Sequence, residues 1–192
     1  MLIFVRHGRS EGNAKNLLVG RADLDLDPVG HRQIEMLPTV LTPTRVISSP
    51  LVRCQVTAAV FGLPVEIEPR VIEVDYGVYD LMPLDEIPRE MWARWRSDPD
   101  FVPPGGESMR AMGDRVREVC EELVEQAAHT DIVVVSHVSP VKAAAAWAVG
   151  LGDADAWRLM VDQASITRIG RGRGGHPMLR SFNETGHLAG IE

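Results

Sequence analysis

Leu2-Ile3-Phe4-Val5-Arg6-His7-Gly8 is a short apolar run that breaks into an arginine, a histidine and a glycine. Ile132-Val133-Val134-Val135-Ser136-His137 repeats the form: an unbroken β-branched run closing on a histidine. Continuous runs of this length, with no polar alternation, are the signature of strands buried on both faces, as in a parallel sheet covered by helices. Two more runs, Arg45–Ser48 and Val65–Ile67, read the same way. Ser165–Ile169 and Met178–Phe182 complete the set, with the glycine cluster Gly170–Gly175 as the turn between them.

Helical segments alternate with these strands. Asp27-Pro28 supplies an N-cap and a first-turn proline for a helix to about Leu41, bent or ended early by Pro38. Ser49-Pro50 is read as the cap of a helix from Leu51 to about Phe61, Glu107 to about Ala128 as a longer helix, and Val141 to Val149 as an alanine-rich one. The proline-interrupted stretch from Pro69 to Pro104 is irregular, with short helices expected after Pro83 and Pro88. The expectation is an α/β three-layer sandwich, a mostly parallel sheet with helices on both faces. Residues 1–192 would form one domain, with a lid-like excursion at about 69–104.

In open α/β sheets, ligands gather outside the carboxyl ends of strands. Here those ends carry His7 and His137, with Arg53 following the Arg45–Ser48 strand and, after a turn, Arg70-Val71-Ile72-Glu73 following Val65–Ile67. Arg6 precedes His7 directly. Such a set suits phosphoryl transfer. The group in flight spreads charge over three oxygens, so the protein must mainly position and neutralise it. Arginine forks do that at any working pH. A neutral imidazole can attack phosphorus, and a carboxylic acid can protonate the leaving oxygen and later activate water. There is no Walker motif and no HExxH. The net charge of −7 argues against a nucleic-acid binder, and no run approaches a membrane span. Cys54 and Cys120 have no ligand spacing and are expected as free thiols, in keeping with a cytoplasmic protein.

Arg6-His7-Gly8-Arg9-Ser10-Glu11-Gly12-Asn13 resembles the RHG signature of the histidine phosphatase (phosphoglycerate mutase-like) superfamily. Gly20-Arg21-Ala22-Asp23 with Leu26 to Gln33 is similar to that family's helix entry, and Ser48-Ser49-Pro50-Leu51-Val52-Arg53 to its SSPL-x-R element. Ile72-Glu73-Val74-Asp75-Tyr76-Gly77, Pro104-Gly105-Gly106-Glu107-Ser108, Val134-Val135-Ser136-His137 and Phe182-Asn183-Glu184-Thr185-Gly186-His187-Leu188 resemble its remaining elements, in family order. The resemblance implies a phosphoglycerate mutase-like fold and a metal-independent phosphatase without cofactor. His7 would be the nucleophile, with the Gly8 carbonyl fixing its tautomer. Arg6, Arg53 and His137 would hold the phosphate, Ser10 and Asn13 would add hydrogen bonds, and Glu73 would be the acid and base. Val138 stands where the family usually has glycine, and would narrow the pocket. Asp75 and Asp80 stay open as rival acids.

The other histidines carry ordinary expectations: His31 and His129 on helix surfaces, His176 in a turn, His187 packing or capping near the carboxyl end. Met91, Trp92 and Trp95 have helical spacing and are read as core, with a lining role open. Arg9 and Arg21 are read as solvated. A mutase is the alternative, since glycolytic mutases of the family carry a long insertion between the acid and the PGGES-like segment that shields the phosphohistidine. Only residues 74–104 stand there in this chain, which favours water as acceptor. A catalytically silent binding domain is the reading of another class. It is disfavoured by the presence of every expected residue type. The expected partner is a small phosphorylated substrate, with no nucleic acid, no membrane and no metal; a homodimer is left open.

Overall fold

A computed structural model of the chain describes residues 1–191. The strands are β1 (Leu2–Arg6), β2 (Arg45–Ser48), β3 (Val65–Ile67), β4 (Ile132–Ser136), β5 (Ile166–Arg171) and β6 (Pro177–Glu184). They form a six-stranded sheet in the order β3-β2-β4-β1-β5-β6. β3, β2, β4 and β1 run parallel. β5 is antiparallel to β1, and β6 is antiparallel to β5, so β5 alone is reversed.

The helices are α1 (Glu11–Ala14), α2 (Pro28–Glu35), α3 (Val52–Ala59), α4 (Arg89–Ser97), α5 (Met109–Val124) and α6 (Val138–Val149). The pleat sorts the core into two layers, because successive side chains on a strand point to opposite faces. Leu2, Phe4, Ile132 and Val134 pack with Val116 and Cys120 of α5 and Val141 and Ala144 of α6. Ile3, Val5, Val133 and Val135 pack with Ile34 of α2 and Cys54 and Ala58 of α3. The expected three-layer sandwich is the one observed.

Four local expectations need correction. α2 stops at Glu35, and Pro38 sits in a separate 3₁₀ turn, Leu37–Thr39. No helix follows Pro83; that stretch is instead pinned to the first loop, with Pro83 bridged to Leu17 and the Leu84 N–H donating to the Asn16 carbonyl. Ser49 does not cap α3, which has Leu51 at its N-cap with no side-chain bond. α6 starts at Val138, directly after His137, because Pro140 falls in the first turn, where a missing N–H costs nothing.

The register places the site. Arg6 pairs with Ser136, so His7 and His137 leave adjacent parallel strands at the same end. Ser48 pairs with Val135, which brings Ser49 beside His137. β1 leads toward α2 on one face and β4 into α6 on the other. The chain therefore parts to opposite sides between these two strands, the usual place for a ligand crevice.

Candidate active site

His7 is buried, and its Nδ1 lies 2.6 Å from the Gly8 carbonyl oxygen. A carbonyl can only accept, so Nδ1 carries the hydrogen and Nε2 keeps its lone pair. Arg53 Nε donates toward that lone pair at 3.3 Å. Burial, with Arg53 and Arg6 adding to it, holds the His7 imidazole well below its ordinary range, so it is neutral. The turn is tight. A Cβ on Gly8 would lie 2.7 Å from the Gly30 carbonyl oxygen, and one on Gly30 would lie 2.1 Å from the Arg9 carbonyl oxygen. These two glycines let the loop carrying His7 press onto the start of α2.

Arg53 is completely buried on α3. Its terminal nitrogens donate to the carbonyls of Ala22 at 2.8 Å and Gly20 at 2.7 Å. The loop that receives them is held by Asp80, which accepts from the N–H groups of Gly20 at 2.7 Å and Ala22 at 2.8 Å. Asp75 accepts from the Gly77 N–H at 2.9 Å and faces Arg21 at 3.4 Å. Both rival carboxylates are thus engaged in building loops.

Arg6 donates to the Val161 carbonyl at 2.7 Å, while its Nε is buried with no hydrogen-bond partner among the described residues. Burial dominates its environment and lowers it to about 10, still charged at neutral pH. His137 meets His7 edge-on at 5.1 Å between ring centres. Its Nε2 shares a 2.7 Å hydrogen bond with Ser49 Oγ, and Cys54 Sγ lies 3.4 Å away. Burial first, then Arg53, keeps this imidazole neutral too.

Glu73 is buried, and burial raises its carboxyl above the ordinary range against the N–H groups that bond it. Val74 N–H donates to it at 2.9 Å, and Ser139 N–H, in the first turn of α6, at 3.3 Å. Its backbone is clamped from outside. Arg115 donates to the Ile72 carbonyl at 2.7 Å and the Glu73 carbonyl at 3.2 Å, and is itself fixed by Glu107 at 2.9 Å. Arg21 reaches the same Glu107 at 3.1 Å. Arg9 is ion-paired to Asp27. Arg21 is exposed, as expected, and Arg9 half-exposed, but both are ion-paired on the surface.

The structure brings Arg6, His7, Arg53, Glu73 and His137 together at one end of the sheet. Ser10 and Asn13 are engaged with each other. Ser10 caps α1 and receives the Asn13 N–H at 3.2 Å, while Asn13 Oδ1 takes the Ser10 N–H and hydroxyl. Val138 is the first residue of α6, so its N–H has no partner within the helix. Its side chain lines a cavity with Tyr76, Ser139, Lys142 and Trp157. Ser49, Tyr76, Ser139, Lys142 and Trp157 were not marked by sequence reasoning. A serine at a helix entry gives no sign that it faces a histidine, and Trp157 belongs to a turn with no motif.

The carboxyl-terminal element braces the centre from behind. Asn183 donates to Asp162 at 2.7 Å and accepts the Asp162 N–H at 2.7 Å. His187 Nε2 is 3.1 Å from the Ala164 carbonyl oxygen, matching the packing role expected of it. The loop so held donates Ala164 N–H to the His7 carbonyl at 3.1 Å and accepts the Arg6 N–H at Ser165 at 3.2 Å. Trp95 is buried among Tyr76, Tyr79 and Trp92, and Trp92 meets Trp157. Among the described residues no group of three His, Cys, Asp or Glu side chains is placed to hold a metal. Nor is any helix of the described residues long and apolar enough to cross a membrane.

A family model described as the histidine phosphatase superfamily, branch 1, matches residues 2–185. A bifunctional protein of Mycobacterium tuberculosis is 30% identical over 97% of this chain and 54% of its own length, so the chain spans about half of that relative. Phosphoserine phosphatase 1 of Hydrogenobacter thermophilus is 33% identical, covering 88% of this chain and 85% of that protein. The crystal structure of phosphoserine phosphatase from Entamoeba histolytica in complex with 3-phosphoglyceric acid superposes with a TM-score of 0.89 at 25% identity, over 97% of this chain and 98% of that one.

Proposed function

The chain belongs to the histidine phosphatase superfamily, and on that premise we propose that it hydrolyses a small phosphomonoester through a covalent phosphohistidine on His7. The observation that carries this is the state of His7. It is neutral, its Nδ1–H is tied to Gly8, and the Nε2 lone pair is presented to a buried cluster of guanidinium and imidazole groups.

In the first step His7 Nε2 attacks phosphorus and the P–O ester bond breaks. The leaving oxygen takes the bond pair and receives the proton of the Glu73 carboxyl. Glu73 is then a carboxylate. In the second step it takes a proton from water, the water oxygen attacks phosphorus, and the P–N bond breaks to return the imidazole. Arg6 and Arg53 neutralise the equatorial oxygens. The unpartnered Arg6 Nε is a donor already desolvated for that purpose, and His137 and the Val138 N–H supply further donors. A donor set that needs no reorganisation when charge develops is the main contribution a protein makes to this reaction.

Hydrolysis rather than return of the phosphate to the substrate is favoured by the short segment between Glu73 and Gly105. Residues 69–104, with α4, would act as the lid over this end of the sheet. A cytoplasmic setting is part of the proposal; Cys54 and Cys120 are buried in core layers on opposite faces of the sheet.

A screen of small phosphoesters with EDTA present, with His7→Ala as control, tests the proposal. Release of inorganic phosphate that survives chelation and vanishes in the variant supports it. A strict requirement for divalent metal, or full activity in His7→Ala, contradicts it.

A further inference from the structure

Glu73 stands on a stretch without regular structure. Residues 73–76 lie between the 3₁₀ turns Pro69–Val71 and Gly77–Tyr79, outside every strand and helix of the described residues. No ladder of main-chain bonds fixes the acid, yet backbone oxygens withdrawn from water must still find donors. Here four successive carbonyls find them in side chains from elsewhere in the fold. Ser136 Oγ donates to the Val71 carbonyl at 2.6 Å. Arg115 of α5 takes the other three. Its Nη1 donates to Arg70 at 2.5 Å and to Ile72 at 2.7 Å, and its Nη2 to Glu73 at 3.2 Å.

The remaining donors of Arg115 go to Glu107. Nε bonds one carboxylate oxygen at 2.9 Å and Nη2 the other at 2.9 Å. All five N–H groups of the guanidinium are thus spent, three on the acid's segment and two on the carboxylate that aims the fork. Burial works against the Glu107 charge, but the Arg115 bond and the charges of Arg115 and Arg21 hold its carboxyl below the ordinary range. Glu107 neutralises Arg115 on the spot, so what Arg115 gives the segment is geometry. Glu107 also donates its own N–H to the Asp75 carbonyl at 2.9 Å and receives Arg21 at 3.1 Å. Arg21 lies between Gly20 and Ala22, whose carbonyls hold Arg53. The acid's segment and the loop behind the phosphate pocket therefore meet at one carboxylate.

We propose that Arg115, aimed by Glu107, is a positioning residue for the general acid: by fixing the carbonyls of residues 70, 72 and 73 it sets where the Glu73 carboxyl meets the leaving oxygen. It touches neither substrate nor the reacting atoms and acts through Glu73. Displacing a reacting group by about 1 Å costs about a hundredfold in rate, so a clamp on an irregular segment has a measurable kinetic effect. This deepens the phosphatase proposal and rests on it.

The leaving group supplies the readout. An alkoxide needs the proton of Glu73 and p-nitrophenolate hardly does, so a misplaced acid shows as a selective loss. Arg115→Lys keeps a cation but replaces the planar fork with a point charge. It is expected to lower kcat/KM on glycerol 3-phosphate by about ten- to a hundredfold and to leave that on p-nitrophenyl phosphate little changed. Glu107→Gln, which loosens the fork without removing it, should show the same selectivity to a smaller degree and serves if Arg115→Lys does not fold. Equal losses on the two esters, or no loss on either, overturn the proposal, since a residue that only stabilises the fold or serves the phosphate pocket affects both alike. If the wild type hydrolyses neither ester, the phosphatase proposal fails, and amide hydrogen exchange decides the clamp by itself; it does so too if only the aryl ester is turned over. The Val74 N–H rests on the Glu73 carboxyl at 2.9 Å. It should exchange faster in either variant while the amides of α5 keep their protection. Unchanged exchange at Val74, or equal acceleration throughout α5, overturns the clamp.

Discussion

Arg53 Nε points at His7 Nε2 from 3.3 Å, so the nitrogen proposed as nucleophile already rests against the cation proposed to neutralise the phosphoryl group. The contact keeps His7 from holding a proton on that nitrogen and places a donor at the point where an equatorial oxygen would arrive. Everything behind Arg53 serves this placement. Its other nitrogens are spent on Gly20 and Ala22, whose N–H groups are in turn spent on Asp80.

Asp80 should therefore behave as a positioning residue. Asp80→Ala leaves two loop N–H groups without their acceptor and is expected to cost about 1–3 kcal/mol of stability. Its loss of activity should be the same for alkyl and aryl phosphates, because Arg53 serves both. A selective loss on alkyl esters would make Asp80 the acid.

Glu73→Gln should show that selectivity. An alkoxide leaves poorly without a proton, so the variant is expected to lose about 10²–10⁴-fold on an alkyl phosphate and far less on p-nitrophenyl phosphate. Burst kinetics on the aryl ester would isolate the phosphorylation step.

The pH dependence follows from the same two groups. The competent form has His7 neutral and Glu73 protonated. Burial, reinforced by Arg53 and Arg6, holds His7 well below 6.5, so its protonation limits the rate only at low pH. Burial raises Glu73 above 4.5, so kcat/KM on alkyl esters should fall as pH climbs through that raised value, and Glu73→Gln should flatten the fall. Folding carries the matching sign. The native state holds the Glu73 proton more tightly than the unfolded chain does. Its contribution to stability is full below the unfolded value and is lost as pH rises through the folded one. Glu73→Gln should accordingly raise Tm at neutral pH while removing activity. An unchanged or lower Tm would contradict the burial penalty.

Gly8→Ala tests the packing of the nucleophile loop. The added methyl meets the Gly30 carbonyl at 2.7 Å and Ile34 Cγ2 at 2.8 Å. Backbone cannot yield as a side-chain tip does, so a cost of about 1–3 kcal/mol is expected. Displacing His7 by even about 1 Å should lower kcat/KM by about a hundredfold. Urea unfolding and steady-state kinetics measure the two effects separately.

Much of this was legible in the sequence because it is local. The runs Leu2–Val5 and Ile132–Ser136 announce buried strands, and His7 and His137 stand at their ends. The pairing of Arg6 with Ser136, which makes those ends neighbours, joins residues 130 positions apart, and no local pattern encodes it. The same holds for Asp80. Beside Glu73 in sequence it looked like a rival acid, and only its contact with the loop at Gly20 shows what it holds. The ending with Asn183 and His187 matched a family element in which only packing or capping was expected of His187; what it packs against, the loop from Val161 to Ser165 behind Arg6 and His7, is set by tertiary contacts. Pro83 failed as a helix start because a tertiary bridge to Leu17 outweighed the local preference.

The central claim is the phosphohistidine, and trapping it is the most direct measurement. Rapid quenching of the wild type with ³²P-labelled substrate under neutral or alkaline conditions should leave protein-bound label that is stable to base, lost in acid and located by peptide mapping on His7, while His7→Ala traps none and loses several orders of magnitude in kcat/KM. Label that survives acid, or that maps to a serine or to His137, would contradict the account.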